Sequence, residues 1–414
     1  MFLKHLKNLL YLFTSKGVAS SFAFIAQIIL ARLLTQEDYG TVSFYIVFIN
    51  ILSSIIGYGL GNFWLRRYAV EGFNVKRWIK PSLMSGICLT GITMPIYFIV
   101  PYFSLGEHSL FISLALLPLL IFQGFSQIVR ACFQILGKYN KLSYYMLIKN
   151  SIFLLSALIL FLFDFNSFVA IYGILSLLVL LYSLTIVKGF YNISTYRAEM
   201  SGVIEEPKTK LVLKLAWPFG AQGILYMLYY QVDILMITFF LGTTSTGLYN
   251  ASFTIVSLIF VFPSILFQIY LLPKANVWIA NNELNKINFI RKKLSIILFL
   301  LGISITLILF YIGEFLITLL FGAEFLDSAL LFKVLILSVP FRFVTNSLEM
   351  IFATERMVTY KVYIQAGGAL LNIFLNLIFI NQIGVIGAAI STVITEIFIF
   401  LLYYFLSARL KREM

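Results

Sequence analysis

Leu34-Thr35-Gln36-Glu37-Asp38-Tyr39-Gly40 closes the first long apolar run of the chain, and Leu241-Gly242-Thr243-Thr244-Ser245-Thr246-Gly247 closes another at the same spacing. Gly40 and Gly247 stand 207 residues apart, half of the 414-residue chain. A polar stretch ending in glycine, met twice at half-chain distance, marks an internal repeat. A second pairing sets Gly137-Lys138 against Glu355-Arg356, 218 residues on. The runs themselves decide the class. Of all residues, 61% are hydrophobic and only 11% charged, whereas soluble domains carry about 25% charged residues. A soluble globular protein, a disordered tail and a secreted disulfide scaffold are all excluded.

Apolar runs lie near residues 11–34, 41–65, 79–103, 109–136, 142–163, 168–190, 212–241, 247–273, 291–312, 329–353, 360–380 and 384–406. Each reaches the roughly 20 residues that a helix needs to cross hydrocarbon. They are continuous rather than alternating, which favours helices over a lipid-facing β-barrel. Twelve spans are expected. Phe315–Phe321 is read as a short re-entrant or interfacial stretch ending in Gly322-Ala323-Glu324. The first run is too long for a signal peptide and lacks an A-x-A-like cleavage site. The repeat then implies two six-helix bundles, 1–190 and 212–414, joined by a linker at 191–211. Such parallel repeats enclose a central cavity near the bilayer midplane.

The net charge of +13 reads as a topology signal rather than as a nucleic-acid surface. Lys4, Lys7 and Lys16 precede or open span one; Arg66, Arg67, Lys76, Arg77 and Lys80 follow span two. Further basic residues follow spans four, six, eight and ten and the last span, while Glu37, Asp38, Glu107, Asp164, Glu324 and Asp327 occupy the alternate loops. The positive-inside rule then places both termini and the 191–211 loop in the cytoplasm. The outer loops are short, with no room for an external catalytic domain.

Ionisable groups at bilayer depth cost about 2.5–3.5 kcal/mol each on insertion scales, so each needs a reason. Arg342 falls mid-span, with Asn346 and Glu349 at i+4 and i+7 on the same face. Arg342 faces either an acid on another span or a wet cavity, where its fork would suit a pyrophosphate. Gln222, Tyr226, Tyr229, Tyr230 and Asp233 form one stripe of span seven. Tyrosines with amide and acid groups suit a sugar-lined cavity, and Asp233 is also a candidate for a coupling proton or sodium ion; packing with Asp233 paired to Arg342 is the alternative. Arg32, one turn from a span end, either snorkels or pairs with Glu37 or Asp38, or meets substrate. Arg130, Lys149 and Lys333 are read as snorkelling, and Glu396 has no partner evident from sequence. Gly57 and Gly61 form a G-x-x-x-G suited to close helix contact. Pro95, Pro118, Pro263 and Pro340 are expected to kink their spans.

The absences narrow the choice. Cys88 and Cys132 sit in apolar runs, so no disulfide framework exists, and His5 and His108 are isolated, with no metal-ligand spacing. No phosphate-loop motif and no nucleophile constellation occur. No cofactor is expected.

Four segments carry a resemblance. Ala31–Gly40 is similar to the signature after the first span of bacterial polysaccharide exporters, and Gly59–Ala69 to the end of their second. Leu319–Phe325 resembles their segment before span ten, and Asn372–Leu377 with Gly384–Ala389 their last pair of spans. The resemblance is to the Wzx-type repeat-unit flippases of the multidrug/oligosaccharidyl-lipid/polysaccharide exporter superfamily. Twelve spans fit this branch better than the peptidoglycan-precursor flippases, which usually carry fourteen. It implies a MATE-like fold in the bacterial inner membrane, working by alternating access. The implied cargo is undecaprenyl-pyrophosphate-linked oligosaccharide (O-antigen or capsule), moved to the outer leaflet. A proton or sodium ion, a polysaccharide polymerase and a chain-length regulator are the implied further partners. A drug/cation antiporter of the same superfamily and a membrane-embedded polymerase are the rival readings.

Overall fold

The computed structural model describes residues 2–198, 206–272, 275, 278, 283–353 and 358–413. Among them every regular element is helical. After α1 (Phe2–Leu33), α2 (Gln36–Gly57) begins at a side-chain cap. Thr35 Oγ1 accepts the Asp38 backbone N–H at 3.1 Å and donates to the Asp38 carboxylate at 2.9 Å, satisfying a donor the first turn leaves open.

The run expected to be unbroken over 41–65 is not. It turns at Tyr58 and Gly59, with φ of 38° and 65°, before α3 (Leu60–Glu71). The turn is flanked by close packing on α5 (His108–Ile135): a Cβ at Gly61 would stand 2.4 Å from the Gln127 carbonyl oxygen, and one at Gly57 2.9 Å from that of Gly124. Then come α4 (Lys76–Leu105), α6 (Tyr139–Ile159) after α5, and α7 (Phe165–Ala198). Phe48 stacks on Tyr97 at 6.2 Å, so α4 runs back alongside α2.

The 57 residues of α8 (Thr209–Ile265) would extend about 85 Å if straight. Gly242, at φ 84°, reverses it. Tyr249 Oη donates to Asp233 at 3.0 Å, though a straight helix would part them by about 24 Å. Next are α9 (Leu284–Phe289) and α10 (Ser295–Phe321). Phe315–Phe321, expected to be re-entrant, is the end of α10, which stops at Gly322 with φ 108°. Arg32 caps that end by donating to the carbonyls of Thr318, Leu319 and Leu320. The expected tenth span is two helices, α11 (Ser328–Leu335) and α12 (Val339–Glu349), joined by a 3-10 turn at Ile336–Ser338. This break puts Pro340 in the first turn of α12, where its missing N–H costs nothing. A hairpin of α13 (Val358–Ile383) and α14 (Val385–Glu413) turns at Gly384.

Ten helical stretches among the described residues are long and apolar enough to cross a membrane. Two of them, Gln36–Leu105 and Thr209–Ile265, contain the reversals just described. Each is therefore long enough to cross twice, which leaves room for the twelve passes expected.

Packing divides the chain into a continuous unit, Ile46–Met227, and a discontinuous one, Met1–Tyr45 with Leu228–Met414. The sequence repeat cuts the chain at 190 and 212; packing cuts it inside α2 and inside α8. Residues 1–45 join the second half through Arg32 on α10, through Lys16 on Ser264 at 2.9 Å, and through the Asn250 amide on Gln27, Tyr39 and Ser43. Glu355-Arg356 and residues 199–205 of the expected linker lie outside the described residues. In the continuous unit α5 packs against α3, α4, α6 and α7, over a core including Trp64, Trp78, Cys132 and Phe190.

In the discontinuous unit the two repeat glycines meet. A Cβ at Gly40 would lie 1.8 Å from the Thr243 carbonyl oxygen, and one at Gly247 2.4 Å from that of Gln36. Gln36 and Thr243 are also 207 residues apart, so each copy's glycine seats on the same point of the other copy. Gly40→Ala is expected to lower unfolding stability by about 1–3 kcal/mol through overpacking. Gly17→Ala, which meets nothing within 4 Å, should be neutral or stabilising; equal melting temperatures for the two variants would refute the contact.

Candidate functional site

Three helices of the discontinuous unit turn polar faces inward. Lys361, Gln365, Asn372 and Asn376 of α13 follow an i, i+4, i+11, i+15 pattern, which is one helical stripe. Thr392, Thr395, Glu396 and Tyr403 form a second stripe on α14, and Arg342, Asn346 and Glu349 a third on α12. All eleven are buried.

Arg342 meets an acid on another span, the first of the two expected alternatives. Its guanidinium lies 3.2 Å from Glu396 Oε1 and donates to the Tyr229 hydroxyl. Tyr229, Tyr230 and Phe260 set ring centroids 5.4–5.6 Å from its Cζ, within cation–π range. Glu349 pairs with Lys361 at 3.3 Å. Asp233 has partners of its own. Tyr249 and Thr392 donate to Oδ2 at 3.0 and 2.7 Å, and the Asn376 amide to Oδ1 at 2.5 Å. Asn376 in turn donates to Asn372 at 3.0 Å.

The charge count in this core is uneven. Among the described residues, the buried acidic and basic side chains of the unit are Asp233, Glu349 and Glu396 against Arg342 and Lys361. Three carboxylates face two cations, so full ionisation leaves one negative charge for an additional cation. Around Asp233 the oxygens available to such an ion are its carboxylate, the Thr392 hydroxyl and, on rotation of the amides, Asn372 and Asn376. These are hard donors of the kind alkali and alkaline-earth ions accept. Among the described residues no cluster of three His, Cys, Asp or Glu suited to a metal occurs.

The remaining predicted residues are scattered. Gln222 and Tyr226 are half-buried on the first part of α8, within the continuous unit. Tyr229 and Asp233 are buried and Tyr230 half-buried. Arg32 is exposed and neither snorkels freely nor pairs with Glu37 or Asp38: it caps α10. Lys333 lies 3.9 Å from Glu314. In the continuous unit Lys149, expected to snorkel, instead turns inward and donates to Asn50 at 3.2 Å and Gln123 at 3.0 Å. Sequence reasoning missed the partners of Asp233 and the Glu396 pairing. The Asn372/Asn376 spacing of four was a visible signal for the first; nothing in sequence links Glu396 to a residue 54 positions earlier.

Residues 5–274 match the family of polysaccharide biosynthesis proteins. An uncharacterised membrane protein of Methanocaldococcus jannaschii is 26% identical over 202 residues, 49% of this chain and 47% of that protein. The match thus spans about half of that relative's length. The lipid II flippase MurJ, in an inward closed conformation, superposes with TM-score 0.70 at 18% identity, over 96% of this chain and 87% of its own. An inward-facing multidrug resistance MATE family transporter of the MOP superfamily gives 0.68 at 14% identity over 94% of each chain. A MOP superfamily transporter from Pyrococcus furiosus gives 0.67 at 14%, over 97% and 95%. The fold is the all-α, multi-pass membrane fold of MATE and MurJ transporters, as expected.

Breaking one side of the buried pair separates the roles of Arg342. Arg342→Met leaves Glu396 uncompensated and should cost about 3–5 kcal/mol of stability. Arg342→Met with Glu396→Leu should recover most of it. Thermal unfolding of the three proteins in detergent checks this: a double variant no more stable than the single one refutes the pair.

Proposed function

The chain belongs to the polysaccharide biosynthesis protein family, and we propose that it is a flippase for undecaprenyl-pyrophosphate-linked oligosaccharide repeat units. It works by alternating access in the inner membrane, with both termini cytoplasmic, and is not an enzyme. One coincidence carries the reading: a chain matched to polysaccharide biosynthesis proteins over residues 5–274 folds like a lipid II flippase over 96% of its length. The glycan crosses in a hydrated path while the polyprenyl tail stays in lipid, because sugar hydroxyls without partners in hydrocarbon cost several kcal/mol each. Moving two phosphate charges outward gains about 4–5 kcal/mol per 100 mV of inside-negative potential.

In this reading the tyrosine stripe with Gln222, Tyr226 and Tyr230 offers ring faces and amide groups to sugar. Arg342, 3.2 Å from Glu396, serves in this reading as that acid's partner rather than as the phosphate ligand, and with Asn346 and Glu349 it frames the ionic core around Asp233. That core binds one proton or sodium ion, the cation its carboxylate excess calls for, and exchanges it for cargo. An O-antigen or capsule unit is the cargo class, with the polymerase and chain-length regulator downstream of it.

Reconstituted vesicles loaded with fluorescent lipid-linked oligosaccharide test both parts. Wild-type protein should expose cargo to an external glycosidase, faster with an inside-negative potential on the loaded side. Drug efflux without glycan movement would replace this reading with the antiporter. Asp233→Asn should abolish acceleration by a proton or sodium gradient while leaving the protein folded; gradient dependence that survives would remove the ion site.

A further inference from the structure

The continuous unit presents the opposite charge problem. Its acidic residues are Glu71, Glu107, Asp164, Glu199, Glu205 and Glu206. All fall at helix ends or in the stretch between α7 and α8, so no helix body in this unit contains a carboxylate. Two cations nevertheless lie more than one turn inside its apolar runs, Arg130 on α5 and Lys149 on α6. Lys149 is twelve residues beyond the turn at Gly137, about 18 Å along its helix, which is near the middle of a hydrocarbon core about 30 Å thick.

Lys149 does not reach for the membrane surface. Its ammonium is drawn between α2 and α5 by the side-chain oxygens of Asn50 and Gln123. Both are neutral acceptors, and an ammonium has three N–H groups. Among the described residues the third has no acceptor and the ammonium has no ion-pair partner. Arg130 lies at i+7 from Gln123, two turns along the same face of α5 and about 10 Å nearer the Gly137 turn. Arg130 makes no hydrogen bond among the described residues, and its charge and that of Lys149 lie close enough to interact. Both residues are half-buried. A helix interior that holds two cations about two turns apart and supplies no acid is built for an anion from outside the chain.

We propose that Lys149 and Arg130, with Asn50 and Gln123 orienting the ammonium, bind the phosphate groups of the transported lipid. The identity of the ligand rests on the flippase reading; the anion site itself rests on the charge and geometry of this unit. Lys149 meets one phosphate as a point charge at mid-depth. Arg130 offers a paired-donor fork nearer the Gly137 turn, where the headgroup enters if that turn is cytoplasmic.

The full chain in phosphatidylcholine nanodiscs is titrated with inorganic pyrophosphate, undecaprenyl pyrophosphate and undecaprenol. Binding of the two phosphorylated probes and not of undecaprenol supports the site as one for phosphate groups from either source. Binding of undecaprenyl pyrophosphate alone also supports it, and requires the tail for recognition. In either case Lys149→Met and Arg130→Gln should each weaken binding about 10- to 100-fold, the loss of a charge-assisted hydrogen bond, and Lys149→Arg should restore it. Arg130→Gln loses no protein hydrogen bond, so it keeps the test alive if Lys149→Met fails to fold. No binding by wild type, or unchanged binding in Arg130→Gln and in whichever Lys149 variant folds, overturns the proposal. Cargo transport by wild type with binding indifferent to both residues sinks this site and spares the flippase. Lys149-dependent binding without any cargo transport does the reverse.

Discussion

An ionised side chain in hydrocarbon must find an opposite charge or water, and the interior of this protein is organised by that requirement. The discontinuous unit answers it internally. Arg342 is closed on Glu396 and Lys361 on Glu349, each at 3.2–3.3 Å, and Asp233 accepts from Tyr249, Thr392 and Asn376. Such pairs contribute little net stability, because desolvating two ions offsets most of their attraction. Their value is arrangement: removing any single member strands another. The continuous unit leaves the requirement open, with cations and no acids in its helix bodies.

The backbone reversals follow from a second necessity, that helices carrying polar cores approach closely enough for short side chains to touch. Gly57 and Gly61 lie on α5 carbonyls, Gly302 on Pro340, and Gly242 turns α8 so that Asp233 reaches Tyr249. In lipid there is no hydrophobic drive between helices, so contact of this kind, with interhelical hydrogen bonds, supplies the association. The Asn250 amide, shared among Gln27, Tyr39 and Ser43, ties the start of the chain to its second half in this way.

Much of the fold was readable from the chain alone, because hydropathy states directly where water is absent. Twelve passes, helical class and the repeat could all be seen. The breaks at Tyr58-Gly59 and at Ile336–Ser338 could not, since an apolar run is equally apolar on either side of a bend. The candidate site was half readable. Spacing identifies stripes, so Arg342–Asn346–Glu349 and Tyr229–Asp233 were found. Which stripe meets which is settled by helix rotation, and no periodicity encodes that. Hence the sequence offers Glu396 no partner and suggests a surface-reaching Lys149, although Asn50 and Gln123 hold it inside. Arg32 shows the same gap: acids two turns away suggested a pair, but the open carbonyls of a helix end won.

The paired glycines at 40 and 247 have the form of a two-fold homodimer contact folded into one polypeptide, where each copy presents the same patch to the other. Such a junction has no independent halves. A methyl group at either position lifts the same two backbones apart, so the two loci share one steric allowance and drift in one is limited by the state of the other.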